Sequence, residues 1–288
     1  MSSRSLFTSL LFTASAALVS AQAPAPALVE SYSTRVGYSS DADIGGASVA
    51  VSHFEAAING RFAAGSAGMG LTGLNFKTYL IDATGLVPVP DSLQEASLTL
   101  GLQRQLSPTW SAMAVLKPGF YGDFEDLDGD SFNAPFLFMA NYATKEELVW
   151  TFGLNVNLFS ENPVLPLVGV RWRFAPDWTL AVAFPRTAVS YQASKALTYS
   201  VGIRFEGGNY RITESPLPTL GGARLNDTYL DFTEIRVGAG ASLALTETMK
   251  LELEAGVMTD RKFDYFDRDF TLNGDAGAFV SLSLNGRF

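Results

Sequence analysis

From Leu148 to Leu158 the chain alternates without a break. Leu148, Trp150, Phe152, Leu154, Val156 and Leu158 are apolar, and Val149, Thr151, Gly153, Asn155 and Asn157 between them are mostly small or polar. Side chains point to opposite faces of a strand with a period of two, so this run is a strand with one oily face. The same alternation recurs. Val164, Val168, Val170, Trp172 and Phe174 stand against Gly169, Arg171 and Arg173; Trp178, Leu180, Val182 and Phe184 stand against Thr179, Ala181 and Ala183. Tyr199, Val201, Ile203 and Phe205 oppose Ser200, Gly202 and Arg204, while Met249, Leu251, Leu253, Ala255 and Val257 oppose Lys250, Glu252, Glu254 and Gly256. The last run sets Val280, Leu282, Leu284 and Phe288 against Phe279, Ser281, Ser283, Asn285 and Arg287. Amphipathic runs of about ten residues separated by turn residues are the pattern of a membrane β-barrel. A soluble sandwich also alternates, but its solvent faces carry many charges. Here the polar faces are largely Gly, Ser, Thr and Asn.

The turns sharpen this picture. Leu106–Trp110 (LSPTW), Phe174–Trp178 (FAPDW) and Leu245–Met249 (LTETM) look alike, and Ala143–Leu148 is a looser version. Each joins two strands tightly and starts the next on a large apolar residue. All four read as periplasmic turns, with Trp110, Trp150 and Trp178 in the interfacial aromatic girdle. The longer polar stretches between them read as outer loops: Asp123–Asn133, Ser160–Pro163, Glu214–Thr228 and Asp260–Gly274. Counting strands back from an inward-running last strand places Tyr229–Leu245 in, Asn209–Thr213 out, Ala196–Phe205 in and Trp178–Phe184 out. Continuing to Tyr32–Tyr38 gives about fourteen strands, an even number with both ends periplasmic, or twelve if one hairpin is lost. The expected fold is an all-β, transmembrane, antiparallel up-and-down β-barrel preceded by a signal peptide. Its last strand should pair with the first near Tyr32–Tyr38, because a barrel in lipid can leave no edge open.

Composition changes the picture at the start of the chain. Arg4, the apolar Leu6–Val19 and the small residues Ser20, Ala21 and Ala23 read as a signal peptide over residues 1–21. Residues 22–29, rich in Ala and Pro, follow as a periplasmic lead-in, and residues 30–288 form the barrel. No later segment has a long uncharged apolar run, which argues against an inner-membrane helical protein. The chain has no Cys, which excludes a lipid-anchored lipoprotein and a disulfide framework. The net charge of −9 argues against nucleic acid as a partner.

The last strand resembles the C-terminal assembly signal of bacterial outer-membrane proteins: Val280, Leu282 and Leu284 alternate and the chain ends on Phe288. Gly286 stands where that pattern often has an aromatic residue. The resemblance implies the cell outer membrane as location. It also implies outer-membrane lipid and lipopolysaccharide, the barrel-assembly machinery and periplasmic chaperones as partners. Val164–Pro185 (VLPLVGVRWRFAPDWTLAVAFP) is also similar to an uncharacterised family of bacterial outer-membrane β-barrel domains of unknown function, which brings no activity with it.

Candidate chemistry is sparse. Arg171, Arg173, Arg204, Glu234, Arg236, Lys250, Glu252, Glu254 and Arg287 alternate with lipid-facing residues, so they are expected on the lumen wall. A midplane Arg or Lys facing lipid would cost ~2–4 kcal/mol. These charges either set the selectivity of a water-filled channel or neutralise one another as a plug. Asp126, Asp128 and Asp130 match the first ligands of an EF-hand loop, but the following glycine and the twelfth-position Glu are missing, so the loop reads as solvated and no metal is expected. Asp260–Phe270, with Phe263, Tyr265, Phe266 and Phe270 among acids, reads as outer girdle and loop packing rather than a binding loop. The single histidine, His53, follows Ser52 in a strand, where neighbours point to opposite faces and make a poor catalytic dyad. The expectation is a non-enzymatic barrel without cofactor. It is read as a passive porin-like channel for small solutes, with a closed structural or adhesion-type barrel acting through its outer loops as the alternative.

Overall fold

The computed structural model describes residues 29–214, 216 and 224–288. The expected signal peptide and all of the lead-in except Val29 lie outside them. The described chain forms one antiparallel barrel wall. Its strands are β1 (Ser31–Ile44), β2 (Ala47–Ala63), β3 (Met69–Thr84), β4 (Ser92–Gln105), β5 (Trp110–Leu116 and Gly119–Gly122) and β6 (Phe132–Asn133 and Phe136–Lys145). Then come β7 (Leu148–Val156), β8 (Val164–Ala175), β9 (Trp178–Val182), β10 (Arg186–Gln192) and β11 (Leu197–Ile212). The wall is completed by β12 (Thr228–Ala244), β13 (Met249–Tyr265) and β14 (Phe270–Gly274 and Gly277–Arg287). Pro118 and Pro135 interrupt β5 and β6, as expected of a residue with no N–H to give the ladder. The fourteen strands close on themselves: β1 pairs with β14 from Ser31↔Arg287 to Ser39↔Phe279. Phe288 sits at the seam, its ring 5.4 Å from that of Tyr32.

The exterior is apolar as the alternation requires. Val36, Leu74, Leu100, Phe152, Val201, Leu253 and Leu282 are all exposed on the outer face. Trp110, Trp150 and Trp178 lie toward the tight-turn ends of their strands, with Trp110 stacked 4.7 Å from Tyr142 and Trp178 4.8 Å from Tyr191.

Two strands differ from the sequence expectation. Ala196–Phe205 was expected to run inward and Asn209–Thr213 to return, but Leu197–Ile212 is a single outward strand, β11, paired with β12 along its whole length. The missing inward strand is β10, Arg186–Gln192. Gly207 and Gly208 suggest a turn, yet they continue the strand. Gly207 has φ +135°, and a Cβ there would stand 1.9 Å from the Phe232 carbonyl oxygen, so glycine is needed for close approach rather than for a reversal. Asp260–Gly274 is likewise mostly strand, with only Phe266–Asp269 between β13 and β14.

The wall is not of even height. Beyond Val182 and Arg186 the β9–β10 hairpin stops, while β8 and β11 continue outward. The outer end of β11 crosses to β5: Arg211 pairs in parallel with Gly122, and the Asp123 N–H donates to the Arg211 carbonyl at 3.1 Å. Toward the exterior the barrel therefore pinches into a smaller ring of β1–β5 and β11–β14, leaving β6–β10 outside. That ring is filled. Ile44, Val49, Val51, Tyr79, Leu93, Tyr121, Tyr210, Ile212, Leu230, Phe232, Phe263 and Tyr265 pack into one buried core. Phe263 and Tyr265 thus belong to this core and not to an outer aromatic girdle.

Candidate functional site

Beneath the outer core lies a layer of buried charge. Glu206, on β11, is its hub. Its carboxylate takes Arg35 Nη1 at 2.7 Å, Lys77 Nζ at 3.3 Å and the Tyr79 hydroxyl at 2.9 Å, and Lys77 Nζ also donates to the Gly207 carbonyl at 2.8 Å. Glu234 accepts Arg236 at 2.6 Å and Arg261 at 2.8 Å. Glu254 accepts Arg204 at 3.0 Å, and Glu95 accepts Lys117 at 3.3 Å. Removing such charges from water is costly, and close opposite charges with added hydrogen bonds offset that cost. Near the middle of the barrel the lumen is thus crossed by neutralising pairs.

Below this layer a cavity of about 730 Å³ opens toward the tight turns at Phe174–Trp178 and Leu245–Met249. Its wall mixes polar and apolar surface, with Thr99, Ser190, Thr198, Ser283 and Asn285 among its polar lining and Leu71 and Val115 among its apolar lining. Arg171, Arg173, Arg204, Lys250, Glu252 and Arg287, expected in the lumen, all line it. Glu234, Arg236 and Glu254 sit in the buried layer instead. Arg173 is at the rim, 3.8 Å from Glu147. Arg35, Glu55, Lys77, Tyr79, Glu95, Arg186, Glu206 and Arg261 escape the sequence reading. The alternation could have found several of them: Phe54-Glu55-Ala56 and Phe76-Lys77-Thr78 each place a charge between outward residues. Arg186 and Glu206 were hidden by the missed β10 and by the false turn at Gly207.

The other candidates resolve locally. His53 is buried with its ring against Gly37, where a Cβ would stand 2.1 Å from Cε1, and Ser52 is exposed on the opposite face. The outer acidic loop uses its carboxylates as caps. Asp128 accepts the backbone N–H groups of Asp130 and Ser131 at 3.0 and 2.9 Å. Slight desolvation raises its carboxyl pKa, and the bonds from Ser131 and Asp130 outweigh that, holding it below the usual carboxylate value. Asp123 accepts the Thr213 N–H and hydroxyl, each at 2.8 Å, tying this loop to the end of β11. Among the described residues no group of three or more His, Cys, Asp or Glu side chains converges to hold a metal ion. At the closing seam Val280 and Leu282 face outward, and Leu284 pairs with Thr34.

A family model described as a domain of unknown function (DUF6268) matches residues 56–272. The chain belongs to that family. No curated protein matches it in sequence. Among solved structures it is similar to the COG4313 outer membrane channel from Pseudomonas putida F1, at 10% identity and TM-score 0.49 over 94% of this chain and 100% of that one. It is also similar to the translocator domain of the autotransporter NalP from Neisseria meningitidis, at 9% identity and TM-score 0.41 over 99% and 96%. The toluene transporter TbuX from Ralstonia pickettii aligns at 8% identity and TM-score 0.42 over 91% and 90%.

Proposed function

We propose that this DUF6268 protein is a non-enzymatic, integral outer-membrane β-barrel that admits small solutes to a periplasm-facing vestibule. It would be a porin-like channel held in a closed state. The apolar exterior supports the membrane location, because in water a belt of this extent would drive aggregation. The observation that carries the reading is the cavity of about 730 Å³, lined by charged side chains and lying under a roof of ion pairs and packed core. A structural barrel has no physical need of such a vestibule. In planar bilayers the purified protein should give rare, brief openings of small conductance over a closed baseline. The complete absence of steps in repeated insertions would overturn the channel reading. The second reading, a permanently closed barrel acting through its outer loops, is favoured by the stapling of the Asp123–Ser131 loop to β11 through Asp123 and Thr213.

A further inference from the structure

The low β9–β10 hairpin leaves the outer halves of β8 and β11 with no strand between them. β9 has five residues. At ~3.4 Å per residue and a tilt of ~40° it rises only ~13 Å, against an apolar band of ~25 Å in barrels of this kind. Above it, Val164–Gly169 of β8 have a ladder partner only in β7, and Phe205–Ile212 of β11 only in β12 until Arg211 reaches β5. Pro166, which cannot donate to a ladder, lies in this one-sided stretch. Three strand spacings of ~4.8 Å separate β8 from β11, so the gap is ~14 Å wide at its base. Its frame is complete. Below, Pro185 anchors β11 by accepting the Phe205 N–H at 2.8 Å. Above, three asparagines from β6, the β7–β8 loop and β11 form a clasp: Asn133 donates to Asn157 at 2.7 Å, and Asn157 donates to Asn209 at 2.8 Å.

The vestibule reaches the foot of this window. Ala181, Arg186 and Arg204 line the vestibule, and Arg186 and Arg204 are cross-strand partners in the last pair of the β10–β11 ladder. Both are paired with acids, Arg186 with Glu252 at 3.3 Å and Arg204 with Glu254 at 3.0 Å, but the vestibule they open into is cationic overall, lined by nine Arg or Lys against four Asp or Glu. The outer frame is apolar: Val168 is 66% exposed, the most of the large hydrophobic side chains on β8, and Phe184 and Phe205 are exposed beside it. We propose that this window is a lateral portal between the vestibule and the outer part of the membrane, and that its solutes are small amphiphiles with an anionic head and an apolar body. The cationic wall of the vestibule takes the head, and Val168, Phe184 and Phe205 meet the body. Opening requires release of the Asn157–Asn209 bond and leaves the outer core intact. This deepens the channel reading and rests on it.

The test uses proteoliposomes loaded with hexanesulfonate or with hexyltrimethylammonium, probes of opposite and permanent charge. The chain has no cysteine, so Asn157→Cys combined with Asn209→Cys can be bridged by a short bismaleimide. Wild type should release hexanesulfonate at least tenfold faster than hexyltrimethylammonium. Bridging should lower that release at least tenfold, and either single variant treated with the same reagent should keep it. Val168→Trp, which narrows the frame from the lipid side, should slow release without cross-linking. Release of hexanesulfonate unchanged by both the bridge and Val168→Trp would overturn the portal while leaving a channel. Equal release of the two probes would overturn the solute class. Release of neither probe by wild type would overturn the channel reading itself, and the portal with it.

Discussion

Glu206→Ala should destabilise the folded barrel by ~3–5 kcal/mol. The Glu206 side chain is 2% exposed and is the shared acceptor for Arg35, Lys77 and the Tyr79 hydroxyl. Deleting it leaves two buried cations without their closest counter-charge, in surroundings where water cannot replace it. The loss therefore exceeds the net value of the pair, because it includes the cost of the stranded charges. Glu252 is the internal control. It meets Arg186 at 3.3 Å but is 21% exposed, so solvent and the neighbouring Glu254 can take over its role. Glu252→Ala should cost under ~1 kcal/mol. Equilibrium urea unfolding of the two variants in lipid vesicles measures the difference, and equal losses would refute the layered picture of the lumen.

Gly207→Ala should cost about 3 kcal/mol or more, from backbone strain and overpacking together. Its φ of +135° lies where side chains rarely go, and the added Cβ would fall 1.9 Å from the Phe232 carbonyl oxygen, a backbone atom that cannot turn aside. The strand on the other side of that contact, β12, carries Phe232 and Glu234 into the core and the ion layer. The strain is thus transmitted to both. Gly129→Ala, with nothing within 4 Å of the new carbon, should change stability by less than ~0.5 kcal/mol. Urea midpoints of the two variants that coincide would contradict this account of β11.

Much of the barrel is legible in the sequence because lipid imposes a strict period. Each outward position must be apolar, and each tight turn must bring the next strand back at once. Trp110, Trp178 and Met249 mark three such returns, and the even count follows from them. The legibility ends where residues answer to packing instead of lipid. Thr187, Val189 and Tyr191 alternate in β10, but the strand is short and follows Pro185, so it resembles a loop. Gly207 and Gly208 carry the composition of a turn, although they serve a close contact. The pinch itself is invisible, since it depends on Arg211 meeting Gly122 across the barrel, and neither residue shows that in its own neighbourhood. The charges at the tight-turn end were readable from alternation alone. The hub at Glu206 was not, because it falls beside the misread glycines, and a lumen charge can be recognised only when its strand is placed correctly.

The central claim is that the outer half of the barrel is a filled ring and the inner half an accessible vestibule. Cysteine accessibility tests it directly. Thr198→Cys places a thiol on the vestibule wall, and Val51→Cys places one in the outer core, where Val51 is 0% exposed. In folded protein a membrane-impermeant maleimide should label the cysteine at position 198 readily. It should label the cysteine at position 51 only after denaturation. Comparable labelling of both in the folded barrel would show a lumen open along its axis and contradict the account.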